Sequence, residues 1–277
     1  MNAFRYRRPK PSRRWVYPLL MALCITGFWW FENVYTPDPY SGDGSGGVTR
    51  FPQEYVPGAP ELIPVQHDHY ELGYSEAHEQ AAWVAYTLHP EHLTRDDRIR
   101  PYFVEDPRVP TKSADWRNYK RSGYDRGHLC PAGDRRFSET AYNQTFYTSN
   151  ISPQDPEFNA GAWNALEQQV RAWCQRYGTL YVMTGGVLQE GLPAIGDEGV
   201  SVPGYFFKVV FRGSRGQLRA AGFLMPNQPL QGPLEPYRVS LDRIEALTGL
   251  DFFTGIAPPN QATLESGVDR QSWPLRP

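Results

Sequence analysis

From Trp15 to Phe31 the chain carries no charged residue, and the only charges before it are the six bases Arg5, Arg7, Arg8, Lys10, Arg13 and Arg14. This run constrains the fold first, because it separates the N-terminus from everything that can form a globular body. As a helix it would extend about 26 Å at 1.5 Å per residue, slightly short of a typical hydrocarbon core. Aromatic residues at both ends suit the two membrane interfaces, and the preceding bases predict a cytoplasmic N-terminus. A cleaved signal peptide is the competing reading, yet the residues from Phe31 to Thr36 offer no small pair for cleavage. A lipoprotein signal fares no better, because Leu23 rather than a small residue precedes Cys24. The expectation is therefore a basic cytoplasmic segment over 1–14 and a single transmembrane signal anchor over 15–31. Either reading places the body outside the cytoplasm, and a bacterial inner membrane facing a periplasm suits it.

Residues 32–64 read as a linker, since the stretch from Thr36 to Gly47 is too rich in Gly and Pro for regular structure. The folded domain is expected over 65–257, followed by a polar, Pro-containing tail over 258–277. Tyr70–Tyr74 and Ala82–Leu88 are short β-prone runs around a loop with Glu76, His78 and Glu79, so they predict a hairpin. Ala162, Leu166, Val170 and Trp173 recur at helical spacing and predict a helix over Ala160–Tyr177, ended by Gly178. Thr179–Thr184, Tyr205–Phe211 and Leu218–Leu224 read as strands, and Ser240–Thr248 as a helix with Ser240 at its N-cap. Strands and helices do not alternate in a βαβ pattern. The fold class is accordingly α+β, a largely antiparallel sheet flanked by helices.

Charge narrows the partners. With 28 Lys and Arg against 30 Asp and Glu, setting aside the six N-terminal bases leaves 22 against 30, a net charge of −8 for the remainder. Such a body has no general polycation character, so it can hold nucleic acid only through a local patch. The three cysteines, Cys24, Cys130 and Cys174, make no disulfide framework. Cys130 and Cys174 are left either as two free thiols or as one pair.

One set of segments carries chemistry. Residues 124–131 read Tyr-Asp-Arg-Gly-His-Leu-Cys-Pro, followed by Ser149-Asn150 and then by Asn159, Trp163 and Glu167. A histidine can act as a base and an arginine can hold a phosphate, while carboxamide and carboxylate groups offer hard oxygen atoms to a divalent cation. His128 is the only histidine after His92. Gly127 removes side-chain bulk and is expected to let a phosphate approach the backbone. An asparagine at a helix start, such as Asn159, is also an ordinary N-cap. His67, Asp68, His69, Glu71 and His78 match no recognised metal spacing and read as a solvated hairpin edge.

The order and spacing of these segments resemble the DNA/RNA non-specific endonucleases, the ββα-metal (His-Me finger) nucleases built around an Asp-Arg-Gly-His motif. The resemblance extends to Trp83–Leu88, Ser122–Leu129, Phe223–Asn227 and Tyr237–Phe253, and so covers roughly 65–257. It implies a ββα-metal finger as the active site and hydrolysis of DNA and/or RNA with little sequence specificity. His128 would be the general base, Asn159 the ligand of Mg²⁺ (or another divalent cation such as Mn²⁺), and Glu167 the partner of metal-bound water. Arg126 would grip phosphate, Asp125 brace the loop, and Asn150 orient the histidine or the phosphate. The family's upstream arginine falls at Arg98 or Arg100, before Tyr102 and Phe103 at a spacing that departs from the usual pattern, and Arg100 is preferred. Partners implied are the nucleic-acid substrate, the membrane through the N-terminal helix, and a second copy of the chain as a homodimer. Two other functions fit the same fold: a non-catalytic nucleic-acid-binding or uptake protein, and a phosphodiesterase acting on a different substrate.

Overall fold

The computed structural model of the chain describes residues 16–30, 48–59, 61–213 and 217–275. The six N-terminal bases, Trp15, Phe31 and the stretch 36–47 lie outside the described residues. The chain divides into two compact units, Met1–Ser41 and Gly42–Pro277.

In the first unit, helix α1 spans Val16–Trp30, and all its 15 residues are exposed. At 1.5 Å per residue the described part of the helix covers about 22 Å, and the residues on either side of it lie outside the described residues. No described helix is long and apolar enough to cross a membrane. The anchor expected over 15–31, whose end residues lie outside the described residues, and the membrane contact that went with it thus find no support among the described helices.

The second unit runs through β1 (Ile63–Gln66), β2 (Glu71–Ser75), β3 (Gln80–Leu88), β4 (Asp125–His128), α2 (Glu139–Gln144) and β5 (Ile151–Gln154). It continues with α3 (Pro156–Phe158), a π-helical turn (Asn159–Trp163), α4 (Asn164–Tyr177), β6 (Leu180–Gly186), β7 (Ala194–Ile195) and β8 (Val200–Ser201). Last come β9 (Tyr205–Arg212), β10 (Arg219–Pro226), β11 (Arg238–Val239), α5 (Leu241–Thr248) and α6 (Pro258–Ser266). Among the described residues the main sheet has seven strands in the order β1-β2-β3-β6-β9-β10-β11, and every neighbouring pair is antiparallel.

The sheet is covered on both faces, and alternation along its strands shows how. Val84, Tyr86 and Leu88 of β3 pack with Trp163, Leu166, Val170 and Trp173 of the long helix. Between them, Trp83 and Ala85 point to the opposite face and join Phe51, Tyr55, Leu241, Ile244, Phe252 and Phe253. Strand β9 splits the same way, with Phe206 and Val210 toward the helix and Phe207, Val209 and Phe211 away from it. A two-residue period with both faces apolar is what a central strand between two layers requires. The predicted hairpin forms as β2–β3, and the predicted strands form as β6, β9 and β10. Ser240 caps α5 by accepting a hydrogen bond from the Arg243 N–H at 3.3 Å, and Gly249 closes it at φ +71°.

Three expectations change. Phe51 and Tyr55, assigned to the linker, are buried in the core, so the folded body takes in chain upstream of Val65. The tail contains α6, and beyond it Trp273 is fully buried against Trp173 with ring centroids 5.1 Å apart. Apolar residues too widely spaced to show a period reach the core from both segments. His67 and His69 are buried instead of edging a solvated hairpin. His67 Nε2 lies 2.8 Å from Asp106 Oδ2, and its ring stacks on Tyr70 and Tyr147.

Candidate active site

Strands β4 and β5 pair only with each other, in the register Asp125↔Gln154, Arg126↔Pro153, Gly127↔Ser152 and His128↔Ile151. The helix follows directly, and Asp155 caps it by accepting from the Glu157 and Phe158 N–H groups at 2.9 and 3.0 Å. Two short strands and a helix thus form a ββα unit around Asp-Arg-Gly-His. Asn159 is not an N-cap, since it lies inside the helix at φ −58°, ψ −52° and opens the π turn. Such single turns recur at functional positions in helices.

The hydrogen bond between the two elements orients the asparagine. Asn159 Nδ2 donates to Asp125 Oδ2 at 3.0 Å. A carboxylate only accepts, so the amide must present its nitrogen to Asp125 and turn Oδ1 the other way. A hard oxygen atom is left available for a cation. Asp125 braces the Asn159 side chain and not the loop alone.

Arg126 and His128, two residues apart, share a face of β4, and the same ring touches both. The Phe103 centroid is 5.6 Å from that of His128 and 4.7 Å from the Arg126 guanidinium carbon. Phe146 meets the imidazole edge-on at 4.9 Å. Arg100 reaches the same place, 5.4 Å from Phe103 and 5.6 Å from Phe146. Arg98 does not, because its side chain donates to the Arg136 carbonyl and pairs with Asp96. The fold therefore brings Arg100 and Arg126 to a cleft lined by Tyr102, Phe103, Val104 and Trp116, with His128 against the Phe103 ring.

His128 Nε2 is enclosed with no hydrogen-bond partner. Burial, and then Arg100, push the imidazole pKa down to about 3, so the ring is neutral at working pH. Asn150 is fully buried and fully engaged. It accepts from Cys130 N–H at 2.8 Å and donates to the Cys130 and Thr145 carbonyls at 3.0 and 2.9 Å. With both amide hydrogens used, it fixes the backbone just beyond His128 and has no donor left for a phosphate. The expected reason for Gly127 is corrected as well: a Cβ there would fall inside the buried Gln154 carboxamide, so the glycine makes room for protein rather than substrate.

Glu167 lies on α4, part of a charged group that sequence reasoning saw only in part. Arg171 bonds Asp134 at 2.5 Å and Glu167 at 3.4 Å, and Tyr86 donates to Asp134 at 3.0 Å. Lys208 is buried over the Trp163 ring at 4.5 Å and bonds Thr184 at 3.3 Å. Burial raises the Glu167 pKa to about 7, against the lowering pull of Lys208 and Arg171. Arg171 could have been found from its four-residue spacing to Glu167. Cys130 and Cys174 are free, buried thiols, pushed up to about 12 by burial, which removes them as nucleophiles.

The family model for DNA/RNA non-specific endonuclease matches residues 55–258. The chain belongs to the DNA/RNA non-specific endonuclease family. Similar proteins include the human mitochondrial endonuclease G, 37% identical over 72% of this chain and 72% of that protein. Nuclease C1 of Cunninghamella echinulata var. echinulata is 34% identical over 68% of this chain and 82% of its own length. A crystal structure of the EndoG/EndoGI complex superposes with a TM-score of 0.67 at 32% identity, covering 73% of this chain and 91% of that one. As a non-specific endonuclease, the protein carries its Asp-Arg-Gly-His strand, its Asn159 and its Glu167 on one ββα unit.

Proposed function

We propose that this nuclease cleaves phosphodiester bonds by in-line attack of water, with His128 as general base and Mg²⁺ held at Asn159. The observation that carries this reading is the Asn159–Asp125 hydrogen bond, which turns a carboxamide oxygen outward beside the Asp-Arg-Gly-His strand. Family membership makes divalent-cation chemistry the expectation. The donor set fits Mg²⁺, which accepts one protein oxygen and keeps several waters. When bound, the cation would neutralise charge on the scissile phosphate and on the leaving 3′-oxygen.

The chain's own residues supply the rest. With Nε2 enclosed, Nδ1 of His128 is the nitrogen that takes a proton from the attacking water. The low pKa keeps that site open, and the aromatic walls of Phe103 and Phe146 fix the ring. Arg126 and Arg100 offer forked donors to the phosphate oxygens and to charge that develops on them. Glu167, once ionised, would accept hydrogen bonds from water that a bound cation brings. Local positive groups of this kind let an acidic body hold a polyanion.

We also place the catalytic body outside the cytoplasm, on the strength of the six bases ahead of the uncharged run 15–31. A C-terminal reporter active only outside the cytoplasm checks this, and a signal only from a cytoplasm-dependent reporter refutes it. For the activity, the test is nicking of supercoiled DNA, single-stranded DNA and RNA across a Mg²⁺ and Mn²⁺ series. Cleavage of all three that EDTA abolishes is expected, and metal-independent cleavage overturns the assignment of Asn159.

A further inference from the structure

A second group of oxygen ligands lies away from the ββα unit. Asp242 and Glu245 stand three residues apart on α5, and Glu265 projects from α6. One carboxylate oxygen from each lies within 4.8 Å of the other two. That separation falls within the span of about 5 Å that two Ca²⁺–oxygen bonds bridge. It is the only such group among the described residues.

Acidic clusters are common on surfaces, but Glu265 is not on the surface. It is 5% exposed, and its Oε1 is enclosed with no hydrogen-bond partner. A buried carboxylate oxygen left unpaired is costly, and it needs a proton or a cation. The surroundings also organise the group. Glu245 Oε1 accepts from the Phe252 N–H at 2.7 Å, which fixes that carboxylate and leaves its second oxygen free. Gln261, one turn before Glu265, donates to Asp251 Oδ1 at 3.0 Å and to the Phe252 carbonyl at 2.8 Å. Burial first, and then the acids Glu245, Asp251 and Asp242, push the Glu265 pKa up to about 7 against the lowering pull of the nearby Gln261 amide. Glu245 is raised as well, by burial and by Asp251 and Asp242.

We propose that Asp242, Glu245 and Glu265 form a structural Ca²⁺ site that clips α6 to α5. The oxygen-only donor set and the irregular spacing suit Ca²⁺, which takes six to eight oxygens in flexible geometry, better than the strict octahedron of Mg²⁺. Asp242 is exposed and Glu245 half-buried, so water completes the shell and the ion has a way in. The site is separate from Asn159 and does not depend on the roles proposed for the nuclease centre.

The test is calorimetric titration of the full chain with CaCl₂, alongside melting curves with and without CaCl₂. The wild type, Glu265→Gln, Glu245→Gln, Asp242→Asn and Asn159→Ala are compared. The wild type is expected to bind Ca²⁺ with a dissociation constant on the order of 10⁻⁴–10⁻³ M and to melt at higher temperature in its presence. Glu265→Gln should lose that binding event and the melting shift while still cutting DNA, whereas Asn159→Ala should keep both. Should Glu265→Gln fail to fold, the more exposed Glu245→Gln and Asp242→Asn must weaken Ca²⁺ binding at least tenfold. Unchanged titrations in all three acid variants overturn the site. So does a wild type with no Ca²⁺-dependent melting shift and a Glu265→Gln variant more stable than it, since that pattern marks a shared proton instead.

Discussion

Replacing Asp125 by alanine tests the centre without touching a group that meets substrate. The carboxylate holds Asn159 Nδ2 at 3.0 Å and so decides which end of the amide faces the cation. Without it the amide can rotate, and a nitrogen turned to the cation repels it. A hydrogen bond to a charged acceptor contributes about 1.5–3 kcal/mol, and at 1.4 kcal/mol per factor of ten this corresponds to a metal affinity weakened roughly 10–100-fold. The same range is found when partners that orient metal ligands are removed. Asp125→Asn can still accept through its own oxygen, but without charge, so it should fall between the wild type and Asp125→Ala. The assay is nicking rate against Mg²⁺ concentration, with circular dichroism to confirm folding. Half-saturation should move up by the stated factor, while excess Mg²⁺ restores most of the rate. A folded Asp125→Ala with unchanged half-saturation refutes the orienting role, and with it the reason for assigning the cation to Asn159.

His128→Ala should cut the rate roughly 10²–10⁴-fold with metal binding retained, and a folded variant with more than a tenth of the wild-type rate would rule out the general base. Because His128 is held neutral down to about 3 and Glu167 ionises only near 7, acidification should act through Glu167. Its protonated form cannot assist the cation, so the Mg²⁺ needed for half-maximal rate should rise as pH falls through about 7, and Glu167→Gln should remove that dependence. Gly127→Ala forces a Cβ into the Gln154 carboxamide and should destabilise the finger even though the motif's chemistry is intact, read by melting temperature and rate together. A fragment starting at residue 60 should be less stable than one starting at 48, because Phe51 and Tyr55 leave the core; truncating one such aromatic costs about 3–5 kcal/mol.

The chemistry was legible where it was contiguous. Asp125 to His128 are consecutive, and Asn159 and Glu167 lie on one periodic helix, so spacing grouped each set, while the resemblance alone implied that the two sets meet. Arg100 could be told from Arg98 only in three dimensions, because what separates them is which arginine meets Phe103. Phe103, Trp116 and Phe146 wall the site from irregular segments that leave no periodic trace. Lys208 did leave one, as a lone charge between Phe206 and Val210 on the helix-facing side of β9. A cation at that alternation position signals a buried partner, here the Glu167 and Asp134 carboxylates. Gly127 was read correctly as a close approach but with the wrong neighbour. The N-terminal run was legible as a helix, since every described residue of it, Val16–Trp30, is helical.

The covering of the long helix by Trp273 bears on how the enzyme comes into being. Trp173 Nε1 donates to the Pro274 carbonyl at 2.8 Å, and Arg238 donates to the Trp273 carbonyl at 2.8 Å. The helix that carries Asn159 and Glu167 thus receives part of its packing from chain made about a hundred residues later. Domains assemble as units as they emerge from the ribosome, so this one cannot close until residue 274 is out. A nascent chain stalled before that point would hold the Asp-Arg-Gly-His strand, Asn159 and Glu167 and still lack the packing that steadies them, so the capacity to cut nucleic acid is withheld until Trp273 is in place.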